Sequence, residues 1–276
     1  MTRIVLDAII DTVKALPFLF GAYLLIEFLE QRANDKFAKL LRGPLGPVGG
    51  AVLGCIPQCG FSVAAANFYA GRLISPGALV AVFLATSDEA VPLLLSEPQA
   101  FPDLFKLLGV KLLAAALFGL LIDLVCRRVI QRKPEQPFQE LCAHCHCEEG
   151  IFRAALHHTG GVALFLFFVS LFLGLAIYFV GDENIALLLL SGNVFQPFLT
   201  ALIGFIPNCA ASVILTRLFL GGALSFGSTV AGLCTGAGLG LIVLFRTNRH
   251  PKENFLLMGA LYFGAVLTGL VCNLIS

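Results

Sequence analysis

Ile56-Pro57-Gln58-Cys59-Gly60-Phe61-Ser62-Val63 returns 150 positions later as Ile206-Pro207-Asn208-Cys209-Ala210-Ala211-Ser212-Val213. A proline, an amide and a thiol in the same order, twice in one chain, point to an internal duplication. The match runs on at the same offset: Gly71 falls over Gly221, Ser75 over Ser225, Gly77 over Gly227, Gly109 over Gly259, Gly119-Leu120 over Gly269-Leu270, and Asp123 over Asn273. Upstream, at a slightly shorter offset, Asp11-Thr12 and Phe18-Leu19-Phe20 fall over His158-Thr159 and Phe165-Leu166-Phe167. The halves are residues 1–127 and 152–276, with a polar segment, 128–151, between them.

Composition sets the environment of the two copies. Of 276 residues, 58% are hydrophobic and 13% charged, and the mean hydropathy is +0.91. A water-soluble domain carries roughly a quarter of its residues as charges, whereas positions 184–245 hold only Arg217. The chain therefore reads as a membrane protein, not a cytosolic enzyme with an anchor. A formal charge of +1 gives no field to attract nucleic acid, which is set aside as a partner. Asp7, Asp11 and Lys14 interrupt the first apolar stretch, so the N-terminus reads as mature structure. Of the nine cysteines, Cys55, Cys59, Cys209, Cys234 and Cys272 lie in apolar segments, which favours free thiols and metal chemistry over a disulfide framework.

Each half reads alike: a long apolar helix (5–29 and 154–180), a Gly/Pro-rich segment (45–72 and 195–222), and two further apolar stretches (76–97 and 105–126; 225–245 and 254–275). All but the Gly/Pro-rich segment have about the 20 residues that one crossing needs. That segment, as one helix, would run about 42 Å at 1.5 Å per residue, and Pro57 and Gly60 interrupt its middle. Two half-helices folded back as a re-entrant hairpin fit better. Positive charge arbitrates, because cytoplasmic loops are enriched in Lys and Arg. The basic loops are 31–42, 127–133 and 246–252, and the acidic loop 181–194 holds Asp182 and Glu183 without a Lys or Arg. If each Gly/Pro segment returns to its own side, all three basic loops fall in the cytoplasm and both termini outside. The expected fold is all-α: a polytopic membrane protein of two inverted-topology repeats, each with three transmembrane helices and one re-entrant helical hairpin. Domain boundaries follow as 1–127 for the first inverted repeat, 128–151 for a Cys/His-rich cytoplasmic loop and 152–276 for the second repeat.

Polar groups inside such a frame mark the candidate site. Asp88 and Glu89, in Ala85-Thr86-Ser87-Asp88-Glu89, fall near the centre of the stretch 76–97. An ionised carboxylate there costs on the order of 2.5–3.5 kcal/mol on insertion scales. The functional reading is a hydrated site that binds a cation or exchanges protons; the competing one is a structural pair neutralised by Lys111 or Arg217. Neighbouring residues on a helix point about 100° apart, so the two acids have separate roles, and Asp88 is the first choice of ligand. The two Pro-amide-Cys turns break the backbone at membrane depth, where broken backbone is tolerated only inside protein or beside a cavity. Their tips offer Gln58, Cys59 and Ser62 with Asn208, Cys209 and Ser212, together with Ser87 and Thr235. For one copy a packed proline kink would suffice; two matched copies favour a cavity. Cys59, Cys209 and Asp88 form the expected metal set, thiols suiting soft ions and amides and carboxylates harder ions such as manganese. The second half has Cys234-Thr235-Gly236-Ala237-Gly238 where the first has its acids, so the site is asymmetric. Asp11 and His158, at equivalent places in the first helices, are candidates with Glu89 for proton or ion coupling, against a solvated helix end. Asp123 reads as interfacial. Cys142, His144, Cys145, His146 and Cys147 could capture or sense zinc, copper or cadmium, the competing reading being an inert linker.

These strings resemble a bacterial membrane family of ten-segment heavy-metal exporters, whose members carry labels of arsenic efflux and manganese transport. The resemblance spans nearly the full length. It rests on Asp11-Thr12-Val13-Lys14 with Pro17-Phe18-Leu19-Phe20, on Ile56 to Ser62, on Ala85 to Glu89, on His158-Thr159, on Ile206 to Cys209, and on Leu244-Phe245-Arg246-Thr247-Asn248. It implies ten segments, which agrees with the count above when each hairpin is scored as two short helices, and a place in the bacterial cytoplasmic membrane.

The expected function is a secondary-active transporter, not an enzyme, that exports divalent metal cations by alternating access. No resident cofactor is expected; the metal is cargo, and the partners are that ion, the lipid bilayer and, as one option, further copies of the chain. No GxxxxGK[ST] string occurs, so proton antiport or the membrane potential must drive it. The rivals are efflux of arsenite or an organoarsenical held by thiols and half-helix amino ends, an intramembrane thiol-redox enzyme using Cys59 and Cys209, and a metal-sensing scaffold built on Cys142 to Cys147.

Overall fold

The computed structural model describes residues 43, 45–56, 59–87, 90–129, 195–207 and 209–275, with scattered positions between 6 and 24 and between 156 and 175. Every regular element among the described residues is helical. In the first half these are α1 (Gly46–Gly54), α2 (Cys59–Ala70), α3 (Pro76–Ala85), α4 (Ala90–Leu95), a short 3₁₀ turn (Pro98–Ala100) and α5 (Phe101–Val129). In the second half they are α6 (Gln196–Gly204), α7 (Cys209–Leu220), α8 (Phe226–Thr235), α9 (Leu239–Thr247) and α10 (Pro251–Ile275). The bounds of α1, α2 and α3 reappear in α6, α7 and α8 at the 150-residue offset seen in the sequence. Among the described residues, four runs are long and apolar enough to cross a membrane: Pro76–Leu95, Pro98–Val125, Phe226–Thr247 and Pro251–Ile275. The chain is thus a polytopic all-helical membrane protein. The described positions between 6 and 24 and between 156 and 175 are helical as well.

The same chemistry starts α3 and α8. Ser75 is the N-cap of α3, its Oγ accepting from the Ala78 amide at 3.1 Å, and Pro76 opens the helix where a missing N–H costs nothing. Ser225 caps α8 by the same bond from the Ser228 amide. Across from each start stands a side chain of the last long helix of that half: the Gly77 amide donates to Asp123 Oδ1 at 2.8 Å, and the Gly227 amide to Asn273 Oδ1 at 3.1 Å. Ser75 Oγ also donates to Asp123 Oδ2 at 2.6 Å. Asp123 is buried within the protein and binds a helix start, where the dipole favours an anion. Close approach makes this geometry possible. A methyl built on Gly119 would lie 2.7 Å from the Gly77 oxygen, and one on Gly269 2.6 Å from the Gly227 oxygen. Small residues at such crossings let helices in lipid gain dispersion contacts over their full length.

The core and the outer face divide along the same helices. In α3 every residue from Gly77 to Ala85 is buried, as is α8 from Gly227 to Thr235. The long helices α5 and α10 instead expose an apolar side, with Leu113 73% and Leu274 86% accessible. An apolar surface of this extent is at home against lipid. Within each half the Gly/Pro-rich segment leans on its third and fifth helices, α1 on α3 and α5, and α6 on α8 and α10. Between halves the packing is exchanged: α2 lies on α9, and α7 on α4.

Two observations trace the chain's path. Gln196, the first residue of α6, donates from Nε2 to the Ala223 oxygen at 3.1 Å and accepts from the Ser225 amide at 3.3 Å. Both ends of the segment 196–222 therefore lie together at the start of α8. Arg72, in the turn between α2 and α3, bonds Glu253 of α10 at 2.9 Å, and Tyr69 Oη stands 3.4 Å from the same carboxylate. Burial works against the Arg72 charge, but the bond to Glu253 and its field outweigh it and hold the guanidinium pKa above its ordinary value. Arg72 adopts φ 57°, a left-handed conformation that costs a side-chain-bearing residue about 1–2 kcal/mol; the matching residue is Gly222, at φ 73°.

Candidate functional site

The sequence predicts continuous spanning helices over 76–97 and 225–245. Instead each is broken in its middle: α3 ends at Ala85 and α4 begins at Ala90, while α8 ends at Thr235 and α9 begins at Leu239. Thr86 and Ser87 lie in the first break, directly before Asp88 and Glu89 in the sequence, and the second is Gly236-Ala237-Gly238. Gly238 sits at φ 55° and ψ −137°, backbone that only glycine enters readily. Signals for both breaks were present. Pro92 has no N–H to donate to the carbonyl four residues back, at position 88, and two glycines flank Ala237.

A broken helix exposes carbonyls, and one side chain collects them. Lys111, on α5, is fully buried. Its Nζ donates to the Thr86 oxygen at 2.5 Å and to the Leu233 oxygen at 2.6 Å. Thr86 is the C-cap of α3, and Leu233 lies in the last turn of α8. The Leu233 oxygen is available because Ala237, whose amide would meet it in a continuous helix, turns instead to the Thr235 oxygen at 2.7 Å. One ammonium thus joins the carboxyl ends of two half-helices from the two halves. Removing that charge from water carries an effective penalty of several kcal/mol. Two charge-assisted bonds of about 1.5–3 kcal/mol each, and two helix ends whose partial charge is negative, offset it. Leu261 occupies the equivalent place on α10 and is equally buried, so the second half has no such charge.

The ends of α1 and α6 arrive at the same level. A methyl on Gly54, the last residue of α1, would fall 2.5 Å from the Val82 oxygen and 2.7 Å from Ala85 Cβ, at the end of α3. In the second half, the methyl on Gly204 would strike Gly232 and Thr235, and Thr235 Oγ1 donates to the Ala201 oxygen at 2.7 Å. The segments Ile56-Pro57-Gln58-Cys59 and Ile206-Pro207-Asn208-Cys209 follow these ends in the sequence. They lead into α2 and α7, whose first turns meet the broken helices. Ser62 is fully buried, and a methyl on Gly240 would lie 2.7 Å from its carbonyl carbon and Cβ. Ser212 Oγ lies 3.6 Å from the Cβ position of Gly236.

Of the residues singled out in the sequence, Ser62, Ser87, Ser212 and Thr235 are thereby gathered at the two breaks. Their hydroxyls are partly engaged. Thr235 also donates to the Gly232 oxygen at 3.0 Å, and Ser87 Oγ donates to the Ala85 oxygen at 3.3 Å, which leaves oxygen lone pairs as what they offer a ligand. Cys59 and Cys209 are the first residues of α2 and α7, and their side chains lie outside the described residues. So do Gln58, Asp88, Glu89, Asn208, Asp11, His158 and the segment Cys142, His144, Cys145, His146 and Cys147. Among the described residues, no three His, Cys, Asp or Glu side chains converge on a metal position. Cys55, Cys234 and Cys272 are free thiols, as their apolar settings predict. Cys55 is the C-cap of α1 and Cys234 lies buried in the last turn of α8, which adds two thiols at the ends of these helices to those expected from the sequence.

The family model of ArsP_2, described as "Putative, 10TM heavy-metal exporter", matches residues 22–180 and 162–276. No curated protein matches. No solved structure matches.

Proposed function

The chain belongs to the ten-segment heavy-metal exporter family, and from that premise we propose that it is a secondary-active transporter carrying divalent metal cations, manganese or a heavier ion, out of the cytoplasm by alternating access. The observation that carries this reading is the junction itself. Two broken helices, one per half, bring their carboxyl ends to one buried point, and the Pro-amide-Cys turns follow helices that end at the same level. Broken helices meeting at the interface of two repeats are where transporters of this plan bind substrate and coupling ions.

Inverted topology with re-entrant hairpins accounts for the chain's path. The Gln196 bonds to Ala223 and Ser225 support a segment that leaves the membrane on the side it entered. The Arg72–Glu253 bond puts the turn after α2 beside the loop 246–252; with every Gly/Pro segment a full crossing, those two turns would be on opposite faces. The exchanged packing of α2 on α9 and α7 on α4 supports a two-fold relation between the halves. Both termini then lie outside, the basic loops inside, and the membrane is the bacterial inner membrane.

In this mechanism Asp88 compensates the charge of the ion, Glu89 exchanges the coupled proton, and Cys59, Cys209, Gln58 and Asn208 complete the coordination as the hairpins rock against the broken helices. Ser62, Ser87, Ser212 and Thr235 contribute hydroxyl oxygens. Asp11 and His158 relay protons from the first helices, and the Cys142–Cys147 segment captures metal at the cytoplasmic side. An inside-negative potential opposes the exit of a dication by about 4.6 kcal/mol per 100 mV, so proton antiport, and not the potential alone, drives export.

Metal flux into inside-out proteoliposomes tests the proposal. Manganese or cadmium uptake that requires a proton gradient and is lost in Asp88→Asn is the expected result. Arsenite flux indifferent to that substitution would instead support the thiol-based permease, and fully retained metal flux in a Cys59→Ser/Cys209→Ser double variant would exclude a thiol-redox cycle and remove the two thiols from the proposed coordination.

A further inference from the structure

Lys111 is used by neither the metal chemistry above nor the lipid-facing surface, yet it is the largest fully buried side chain among the described residues. Two of its partners are carbonyl oxygens from different halves, each at the carboxyl end of a half-helix. Unwound carbonyls and half-helix carboxyl ends are the groups with which broken-helix transporters coordinate an alkali coupling ion. Such oxygens suit a monovalent cation without hydrogen-bond acceptors of its own, and an ammonium meets the same description. The arrangement is single: Leu261, equally buried, stands at the matching place in the second half.

We propose that Lys111 is a tethered cation, its ammonium holding the position between the ends of α3 and α8 that a bound sodium or potassium ion would otherwise fill. Two consequences follow. The first concerns the transport cycle and rests on the function proposed above: export runs without an alkali ion, since the coupling-ion position is already occupied by a charge fixed to α5. The second is independent of any substrate: shortening the side chain at position 111 exposes a site for a small monovalent cation.

Thermal unfolding of the full chain, purified in detergent, reads the second consequence. Lys111→Ala lacks the portion of the side chain that propylammonium reproduces. In choline chloride it is expected to melt below the wild type. Added propylammonium, or sodium, at constant ionic strength then raises its melting temperature with the logarithm of concentration, as for any ligand that binds only the folded state. The wild type is expected to respond equally to choline, sodium, potassium and propylammonium. Lys111→Gln, which retains amide donors without the charge, serves if the alanine variant cannot be recovered, and is expected to respond more weakly. A Lys111 variant that melts with the wild type in every salt, or that melts lower with no preference among cations, overturns the proposal. Wild-type metal flux with sodium and potassium replaced by choline on both sides reads the first consequence. Unchanged rates are expected, and a rate that falls tenfold or more overturns it. Should no metal be transported under any condition, the exporter reading fails while the melting experiment still decides the role of Lys111.

Discussion

Gly240→Ala is the perturbation whose effect can be worked most fully from the structure. Gly240 lies in the first turn of α9, where α2 of the other half crosses it. A methyl there would fall 2.7 Å from the carbonyl carbon and Cβ of Ser62 and 2.8 Å from its oxygen. Carbon atoms rest about 3.5–4.0 Å apart, so the helices must separate by roughly 1 Å. Two of the three struck atoms are backbone, and no rotamer change relieves them. Overpacking of this kind costs about 1–3 kcal/mol. If the α2–α9 contact forms in one access state and loosens in the other, that energy moves the balance between them by about 5- to 150-fold. Flux is therefore expected to fall by at least fivefold, with a lower melting temperature. Gly259→Ala, on α10 with nothing within 4 Å of the added methyl, is the control, and a helix interior gains up to about 1 kcal/mol from that exchange. A Gly240→Ala protein as stable and as active as the wild type would refute the reasoning about this crossing.

Other substitutions probe the remaining contacts. Asp123→Ala removes both bonds at the start of α3 and is expected to cost about 3 kcal/mol, whereas Asp123→Asn, which copies Asn273 in the second half, is expected to cost about 1 kcal/mol; calorimetry of the two variants checks the ratio. Arg72→Gly loses a partly exposed ion pair worth at most about 1 kcal/mol and relieves a left-handed side-chain residue by a similar amount. Its melting temperature should therefore stay near that of the wild type while crosslinking between the turn at 72 and the start of α10 declines. Deleting residues 142–147 is expected to raise the metal concentration for half-maximal flux and leave the maximal rate within about twofold; complete loss of transport would restore the sensing-scaffold reading.

The duplication, the membrane setting and the two-part Gly/Pro segments were legible in the sequence because each depends on local pattern. A 150-residue offset can be counted, an apolar run has a length, and Pro57 and Pro207 interrupt a helix wherever they stand. The matched glycines also carried their meaning: Gly77 with Gly119, and Gly227 with Gly269, are close contacts in both halves. The breaks in the third helix of each half were not read, although Pro92 and Gly236-Ala237-Gly238 signal them. Their flanks, Ala78 to Ala85 and Thr229 to Thr235, are uniformly buried, and a run of such residues has the length and hydropathy of an unbroken span. Lys111 was legible only as a candidate counter-charge to Asp88 and Glu89, and its partners among the backbone oxygens were not. A carbonyl becomes an acceptor only once its helix has ended, and whether Thr86 and Leu233 end theirs at one point is a tertiary fact. The partner of Asp123 was hidden for the same reason, since it is the start of another helix 46 residues away in the chain.

The claim that the two halves bring their breaks and turns together around a metal path is tested most directly by a structure determined with cadmium or manganese present, at wavelengths that reveal the metal. The account predicts anomalous density bounded by the turns at 57–59 and 207–209 and by the break at 86–89, within a few ångströms of Lys111 and lost in Asp88→Asn. Metal seated only on the 142–147 segment, in a protein that transports it, would contradict the account.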